Sequence, residues 1–395
     1  MIFDHIEKGP ADPVFGLVRE FKLDPRKDKH FLGIGVYQDE IGKKTHFTSV
    51  FAAQKIVEEQ RREANYLPIK GSSEFTDTYG SLVFTENIWE EIKERTSSVQ
   101  TLGGTGAIKV GFDFLNQFIS NKVCYFVPTW PNHKQIINHI AMDVTTAPYL
   151  DSEKLVNFEK ILDVLSHLPE KTTVLLQASC HNPTGADFSY SQLKELSELM
   201  LKKKLIPFFD LAYQGLGVSL SDDAYPIQIF VKDGHDMLVA ATCSKNFGLY
   251  SQRVGALFIL TQNDKQKENV SSNLEPLIRA NYSNPPSFGA DLVTCVLRNS
   301  QLRNKWEQEL EQRRSRLANL RSQFVGELSQ KSTANFDFLL RQKGMFSYLG
   351  LTETQVQELK DKFGIYLLGN SRMNFASLNK SNFEFILDAI VKVCK

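Results

Sequence analysis

The chain has 395 residues, of which 42% are hydrophobic and 23% are charged. That composition is typical of a soluble globular protein, long enough for one large domain with a smaller one attached, and it excludes a disordered or fibrous chain. Because 46 basic residues balance 46 acidic ones, no broad cationic field is available to attract nucleic acid or anionic lipid, and any anion site must be built locally.

The first residues, MIFDHIEKGPADP, lack the basic start and apolar core of a signal segment. No later run approaches the roughly 18 apolar residues of a membrane-spanning helix. We therefore expect a cytoplasmic protein with neither membrane nor nucleic acid among its partners. The five cysteines are odd in number, widely spaced and without a CxxC pair, which argues against a disulfide framework and a structural zinc site, and no metal is expected.

Short β-rich runs alternate with helical stretches between about residue 100 and residue 260. This alternation predicts an α/β fold with a doubly wound, mainly parallel sheet covered by helices. One intervening helix is readable over Ser189–Lys204, where leucines recur at helical spacing and lysines fill the last turn. The β-rich runs are VCYFV at 123, VTTAPYL at 144, TVLLQA at 173, LIPFFD at 205, MLVAAT at 237 and GALFIL at 255.

After residue 300 the pattern changes to a long, charged segment over 301–330, with no Gly or Pro before Gly326. It predicts a long helix of the kind that bridges two domains. Beyond it, a β-like segment, the helix ETQVQELKDKFG, the segment IYLLGNSRMNFA and a closing helix indicate a compact α+β unit.

Lys245 follows the predicted strand MLVAAT directly, in the segment TCSKNFG. Open α/β sheets place their ligands at the carboxyl ends of strands. A lysine amine there can form a Schiff base with an aldehyde, and burial or a neighbouring cation would lower its pKa enough to supply the neutral nucleophile. A single lysine is usually a solvated surface group, so only the neighbouring residues can indicate whether Lys245 has this role.

Three further features could hold a phosphate and a flat ring. Arg253 precedes the strand GALFIL and could grip a phosphate with two hydrogen bonds, or pair with a surface carboxylate. The glycine-rich turn LGGTGA leads into a helix, so free N–H groups and the Thr105 hydroxyl could cradle the same phosphate, although tight packing is an alternative. Asp210 ends a strand and could pair with a protonated ring nitrogen, or cap a turn.

Four other residues are candidate anchors. Tyr213 could donate to a phenolic oxygen of the same ring. In HNPTG, Pro183 constrains the turn so that Asn182 faces the carboxyl edge of the sheet. Trp130 in PTWPNH could stack on the ring, or it could be a core residue. Arg372 in NSRMN could bind an anion, or it could form an ion pair at the surface.

Taken together, seven segments resemble the class I aspartate aminotransferases, subgroup I-alpha, in order and in spacing, and the similarity covers essentially the whole chain. Within that subgroup it is close to the aspartate and aromatic amino acid aminotransferases of bacteria. The segments are GGTGA, PTWPNH, HNPTG, FDLAYQG, SKNFGLYSQRVG, IRANYSNPP and NSRMN.

This resemblance implies a fold type I transferase that depends on pyridoxal 5'-phosphate. Its large domain would hold a mainly parallel seven-stranded sheet, and a smaller α+β domain would complete it. The implied boundaries are an N-terminal arm over 1–13, a small domain over 14–45 and 313–395, and a large cofactor-binding domain over 46–312.

The resemblance also implies a role for each matched residue. Lys245, Asp210 and Tyr213 would be catalytic, with His133 behind Asp210. The implied cofactor-binding residues are Gly104, Thr105, Trp130, Asn182, Asp210, Tyr213, Thr242, Lys245 and Arg253, with Tyr66 reaching in from the neighbouring subunit. The implied substrate-binding residues are Gly35, Trp130, Asn182, Arg372 for the α-carboxylate, and Arg279, which would cross the interface of a homodimer to bind a side-chain carboxylate.

The implied reaction is the transfer of an amino group from L-aspartate to 2-oxoglutarate in two half-reactions. Asn284 and Thr105 match aspartate-type residues, and a polar rim near Asn284 and Asn65 should disfavour an aromatic ring by about 1 to 3 kcal/mol. HNPTGAD, DDAYPI, PPSFGA and GMFSYLGL are closer to the aromatic branch, so aromatic or dual specificity is the alternative.

Two departures from the family stand out. Thr242 occupies a position where serine is usual, which retains the hydroxyl, and Gln177 replaces a histidine often found five residues before Asn182. Two rivals are a non-catalytic relative, which the presence of Lys245 and Asp210 disfavours, and a decarboxylase or β-eliminating enzyme, which two carboxylate-binding arginines disfavour.

Overall fold

A computed structural model describes residues 1–9, 12–60 and 64–395. Residues 10–11 of the predicted arm and 61–63 of the predicted large domain lie outside the described residues. The strands are β1 (His30–Phe31), β2 (Thr96–Leu102), β3 (Lys122–Val127), β4 (Asp143–Pro148), β5 (Thr173–Gln177), β6 (Ile206–Leu211), β7 (Met237–Thr242), β8 (Val254–Leu260), β9 (Phe346–Tyr348), β10 (Ile365–Tyr366) and β11 (Arg372–Asn374).

Helices separate most of these strands. The α-helices are α1 (Pro13–Leu23), α2 (Thr48–Glu59), α3 (Ser73–Phe84), α4 (Glu86–Ile92), α5 (Gly103–Phe118), α6 (Pro131–Ile140), α7 (Phe158–Ser166), α8 (Tyr190–Lys202), α9 (Leu220–Lys232), α10 (Asp264–Asn281), α11 (Phe288–Arg298), α12 (Ser300–Lys331), α13 (Glu353–Phe363) and α14 (Phe383–Val393). Short 3₁₀ helices cover Lys93–Arg95, Asp337–Arg341 and Phe375–Ser377.

The central sheet has seven strands in the order β2-β8-β7-β6-β5-β3-β4. Strand β8 runs antiparallel to both of its neighbours, and the other pairs are parallel. Gln177 of β5 pairs with Asp210 of β6, which in turn pairs with Ala240 of β7. The carboxyl ends of these three strands therefore lie side by side.

Both faces of the sheet are covered, so every residue of β7 and β8 is buried. A strand buried on both faces reads as a continuous apolar run, which is why MLVAAT and GALFIL carry no polar alternation. In β6, Phe208 packs against Phe112 of α5 on one face, and Phe209 packs against Phe230 of α9 on the other. Gly111 lets α5 approach closely, because a Cβ there would lie 2.4 Å from the Phe208 ring.

Two smaller two-stranded sheets lie outside the central one, and the first of them joins the two ends of the chain. Parallel strands β1 and β10 form one, and antiparallel strands β9 and β11 form the other. Helix α12 has 32 residues, which corresponds to about 48 Å. It packs against α2 and α11 near the large sheet and against α14 near the small ones.

The structure confirms the α/β fold, the mainly parallel seven-stranded sheet and all six predicted strands. The helix predicted over Ser189–Lys204 begins at Tyr190 and ends at Lys202, with Ser189 as its cap. Strand β2 was not predicted, because its sequence TSSVQTL is mostly polar even though it is largely buried. Gly326 does not interrupt α12.

No helix in the described part of the chain is both long enough and apolar enough to cross a membrane. The described residues also contain no cluster of three or more His, Cys, Asp or Glu side chains that could hold a metal ion.

Candidate active site

A cavity of about 550 Å³ opens where β5, β6 and β7 end. It is in the size range of small-molecule sites in proteins. Most of the predicted site residues line it, and only Tyr66 and Arg279 among them do not. The predicted residues that line it are Gly35, Gly104, Thr105, Trp130, Asn182, Asp210, Tyr213, Thr242, Lys245, Arg253 and Arg372.

Lys245 lies in the turn after β7, with Nζ 4.9 Å from the centre of the Tyr213 ring. Burial is the main cause that lowers the pKa of Lys245 to about 8; Asp210 acts in the opposite direction, and the cations Arg253 and Arg372 add to the lowering. About a tenth of the amine is therefore neutral at pH 7. A neutral amine is the form that attacks an aldehyde.

Asp210 is buried to 6% exposure and faces the cavity from the end of β6. Its Oδ2 lies 3.1 Å from Nε2 of the fully buried His133, whose Nδ1 lies 2.8 Å from Oγ1 of Thr129. Trp130 packs edge-on against His133, with 5.2 Å between ring centres. This arrangement holds one carboxylate at the cavity wall with a histidine behind it, as a ring-nitrogen partner requires.

A candidate anion cradle lines the same cavity. Gly103 and Gly104 begin α5, and no described side chain caps this helix end, so its N–H groups are available to an anion. Oγ1 of Thr242 and Oγ of Ser244 lie 2.9 Å apart beside it. Gly103 has φ +67°, and a Cβ there would lie 2.8 Å from the Arg253 guanidinium, so only glycine leaves that space open.

Arg372 is the second cation of the cavity. One of its N–H groups donates to Oδ1 of Asn182 at 2.8 Å, and another donates to the carbonyl of Gly33 at 2.5 Å. Both acceptors are neutral, and the buried Nε has no hydrogen-bond partner among the described residues. Burial lowers the pKa of Arg372 to about 10, so it remains charged at pH 7. A buried cation with an unused donor is suited to a carboxylate.

Tyr213 is buried beside Lys245 and packs edge-on against Phe346, with 6.1 Å between ring centres. Burial raises the pKa of its hydroxyl, so the group is a hydrogen-bond donor at neutral pH. Phe346 also contacts Arg372, whose guanidinium lies 4.1 Å from the centre of the Phe346 ring.

Tyr66 and Arg279 lie outside the cavity. The Tyr66 side chain is 87% exposed, and Arg279 in the last turn of α10 is exposed and donates to Ser283. Asn284 donates to the carbonyl of Leu67 at 2.9 Å, which joins the segment after α10 to the segment that carries Tyr66. These two residues therefore belong to one connected surface.

Sequence reasoning missed several residues of the cavity. Ser244 is adjacent to Lys245 and could have been found by that adjacency. Phe346 and Tyr250 line the wall, and Val14 and Phe15 reach it from the first helix. No local pattern in the sequence marks these four residues, because only the folded chain brings them to the cavity.

The donor set fits pyridoxal phosphate group by group. An amine of lowered pKa suits the aldehyde, a buried carboxylate suits the ring nitrogen, and a glycine-lined helix end with two hydroxyls and Arg253 suits the phosphate. The open wall at Gly103 and the unused Nε of Arg372 are the structural observations that support this fit. The fold and the site therefore define a pyridoxal phosphate enzyme that acts on a carboxylate.

Comparison with known proteins identifies the family. The model of the aminotransferase class I and II family matches residues 27–390. The chain is 39% identical to the aspartate aminotransferase of Haemophilus influenzae over 395 residues, covering 99% of this chain and 100% of that protein. It is 38% identical to the aromatic-amino-acid aminotransferase of Escherichia coli over 396 residues, covering 99% of this chain and 100% of that protein.

A solved structure agrees. The aromatic-amino-acid aminotransferase of Burkholderia pseudomallei, covalently bound to pyridoxal phosphate, matches with a TM-score of 0.96 at 37% identity and covers 100% of both chains. The present chain belongs to the class I and II aminotransferases. It is an enzyme that carries out transamination between amino acids and oxo acids, and its cofactor is pyridoxal phosphate.

Proposed function

We propose that the enzyme transfers the amino group of L-aspartate to 2-oxoglutarate, giving oxaloacetate and L-glutamate in two successive half-reactions. The observation that carries this proposal is Arg372, a buried cation with an unused donor beside Lys245 and Asp210. It supplies the α-carboxylate subsite. Exposed Arg279 supplies a second cation for the side-chain carboxylate of a dicarboxylic substrate, and the polar Asn284 lies three residues beyond the end of the same helix.

Each residue then has a distinct task. Bound pyridoxal phosphate supplies an electron sink for the charge left on the α-carbon of the substrate. Lys245 would hold the aldehyde group of the cofactor, and its free, neutral amine would take the α-proton of the substrate and later return a proton. Asp210 accepts the hydrogen bond of the ring nitrogen, and Tyr213 donates to the phenolic oxygen. Trp130 stacks on the ring.

The remaining cofactor and substrate contacts follow the same assignment. Gly104, Thr105, Thr242 and Arg253 hold the phosphate, and Asn182 shares the phenolic oxygen with Tyr213 while it orients Arg372. Gly35 leaves room for the substrate, since a Cβ there would lie 2.9 Å from the Phe346 ring.

We further propose a homodimer with shared active sites. Tyr66 and Arg279 lie outside the cavity of their own chain and are exposed, which supports their reaching the site of a neighbouring subunit. The proposed domains are the arm over 1–13, the small domain over 14–45 and 313–395 and the large domain over 46–312, supported by the separate small sheets. A cytoplasmic location completes the proposal.

The transamination chemistry is tested by Lys245→Ala with Lys204→Ala as a matched control, since Lys204 is exposed and paired with Glu170. We expect the first variant to lose the visible absorbance of the lysine-bound cofactor and turnover, and the second to retain both. A Lys245→Ala variant that turned over aspartate at the normal rate would refute the assignment.

The substrate choice is tested by kcat/KM for aspartate, tyrosine and phenylalanine with 2-oxoglutarate. We expect aspartate to exceed either aromatic substrate by about tenfold or more, which corresponds to about 1.4 kcal/mol. An aromatic preference would support the alternative, an aromatic amino acid aminotransferase, which the Escherichia coli relative and the Burkholderia pseudomallei structure favour by their names. Comparable values would indicate dual specificity.

A further inference from the structure

Gln177 ends β5 and makes a reciprocal pair of hydrogen bonds with the backbone of Asn182. The Asn182 N–H donates to Oε1 of Gln177 at 2.8 Å, and Nε2 of Gln177 donates to the Asn182 carbonyl at 3.0 Å. The same Nε2 also donates to Oγ1 of Thr129 at 3.3 Å. One side chain therefore connects the Asn182 turn to the loop before α6.

The pair with Asn182 determines which way the amide of Gln177 faces. Because a backbone N–H can only donate, Oε1 must face it, and Nε2 must face both Thr129 and the Asn182 carbonyl. The Thr129 hydroxyl then accepts from Gln177, which leaves its own proton for Nδ1 of His133, 2.8 Å away.

The same order of donors and acceptors extends to Asp210 at the cavity wall. When Nδ1 of His133 accepts from Thr129, the proton of the neutral ring is on Nε2, which donates to Oδ2 of Asp210 at 3.1 Å. The chain of donors runs from Gln177 through Thr129 and His133 to Asp210, and each member has a single role. In this arrangement Asp210 accepts a hydrogen bond from Nε2 of His133.

The other end of the arrangement reaches the carboxylate subsite. The turn that Gln177 holds carries the Asn182 side chain, whose Oδ1 accepts from Arg372 at 2.8 Å. Gln177 lies beside Asp210 in the sheet register as well. It therefore contacts the supports of both the ring-nitrogen partner and the α-carboxylate ligand.

We propose that Gln177 is a positioning residue that keeps His133 neutral with its proton on Nε2 and, through Asn182, orients Arg372. The proposal rests on the proposed function of the cavity and adds a residue to it. The ionisable groups around the relay are Asp210 and His181, which face His133, and Lys245, Tyr213, Arg253 and Arg372, which surround Asp210 across the cavity.

A merely structural clamp is the competing explanation, and the chain offers a matched control for it. Gln342 is buried and forms the same reciprocal pair with the backbone of Tyr348, at 3.1 Å and 3.4 Å. It does not line the cavity and does not contact Thr129 or His133. Loss of a buried clamp alone should have similar consequences at both positions.

The experiment compares the wild-type holoenzyme with Gln177→Glu, Gln177→Met and Gln342→Glu. The ring nitrogens of His133 are observed by ¹⁵N NMR, with the signal assigned by its loss in His133→Asn. Steady-state kinetics with aspartate and 2-oxoglutarate give kcat and KM for each protein.

We expect the wild-type His133 to be neutral with its proton on Nε2 at pH 7. In Gln177→Glu the carboxylate can only accept, so Thr129 turns its proton to it and Nδ1 of His133 gains a proton, which converts the ring signals to those of imidazolium. In Gln177→Met the Thr129 bond to His133 persists, while KM for aspartate rises about tenfold, or about 1.4 kcal/mol, because Asn182 loses its support. Gln342→Glu should leave the His133 signals unchanged, because Gln342 contacts neither Thr129 nor His133.

Three results would overturn the proposal: a proton on Nδ1 in the wild type, unchanged ring signals in folded Gln177→Glu, or a KM within twofold of the wild type in Gln177→Met. The first is measured on the wild-type holoenzyme, so it decides even if a substitution at Gln177 prevents folding. Failure of the proposed function is distinct, because it would show as a holoenzyme that does not transaminate aspartate, whatever the state of His133.

Discussion

Trp306 of α12 stacks on Phe247 with 4.4 Å between ring centres and 9° between ring planes, and its Nε1 donates to the carbonyl of Asn246 at 2.7 Å. Both partners lie within two residues of Lys245. The long helix therefore holds the turn that carries the reactive lysine, although α12 contributes no residue to the cavity wall.

We expect Trp306→Phe to lower the free energy of unfolding by about 1 to 3 kcal/mol, because it leaves the buried Asn246 carbonyl without its donor. It should also weaken cofactor retention during gel filtration. Trp89→Phe is the matched control, since Trp89 stacks on Phe84 and donates to Asp77 far from the cavity. Equal effects of the two variants on cofactor retention would contradict the link to Lys245.

Cofactor uptake by the apoenzyme should depend on pH through Lys245. Because the pKa of Lys245 is lowered to about 8, the rate of absorbance gain should rise about tenfold from pH 6 to 7, about fivefold from pH 7 to 8, and level off above about pH 9. Asp210→Asn removes an anion that raises this pKa, so the plateau should begin at lower pH. Free N-acetyl-lysine, with its ordinary pKa, is the control, and its rate should keep rising past pH 9. A flat profile between pH 6 and 9 would contradict the lowered pKa.

Gly103→Ala should weaken cofactor binding by about tenfold or more, measured by equilibrium dialysis. Its φ of +67° is unfavourable for alanine, and the added Cβ would lie 2.8 Å from Arg253, which must then move from the anion cradle. Gly326→Ala is the control, since nothing lies within 4 Å of that position in α12. The control should bind the cofactor normally and be slightly more stable.

Arg372→Lys should lower kcat/KM for aspartate by about 10- to 150-fold, the equivalent of about 1.5 to 3 kcal/mol for a charged hydrogen bond. An ammonium group cannot donate to Asn182, Gly33 and a carboxylate with the fork geometry of a guanidinium. Arg321→Lys removes another buried arginine, which donates to the carbonyl of Gly344. It should lower stability and leave kcat/KM unchanged. The assignment fails if the two variants lose the same activity.

Hybrid dimers test the shared site. In a dimer of one Lys245→Ala chain and one Arg279→Leu chain, a single site combines an intact Lys245 with an intact Arg279 from the other chain. We expect purified hybrids to regain about half of the wild-type aspartate turnover per dimer, on the stoichiometry of a two-fold oligomer. Hybrids as inactive as the parent homodimers would place Lys245 and Arg279 in separate sites.

The strands on both sides of Lys245 could be predicted because each is a short apolar run bounded by polar turns. Strand β2 escaped prediction, since its sequence TSSVQTL is mostly polar and leaves no apolar period. Hydrogen bonds inside the protein allow some of these polar side chains to be buried. Buried Thr96, for instance, donates to the carbonyl of Ile92, and Gln100 donates to the carbonyl of Pro286. Burial of such residues depends on neighbours that a local pattern does not contain.

The candidate site was predicted best where function depends on the residue itself. Lys245, Asp210 and Arg372 carry their chemistry in their side chains, so a matched motif identified them. Gln177 had no interpretation from the sequence, because its role depends on the register between β5 and β6 and on the course of the Asn182 turn. The role of a residue that acts through its neighbours can be inferred only once the structure shows where those neighbours lie.

The bond from Arg372 to the carbonyl of Gly33 spans 339 positions of the chain. During synthesis, every group proposed to hold the ring and phosphate within one chain has been made once residue 253 has been added. The carboxylate ligand comes more than a hundred residues later and docks on a segment made at the beginning. A growing chain therefore acquires the groups that hold the cofactor well before it acquires the group that recognises an amino acid.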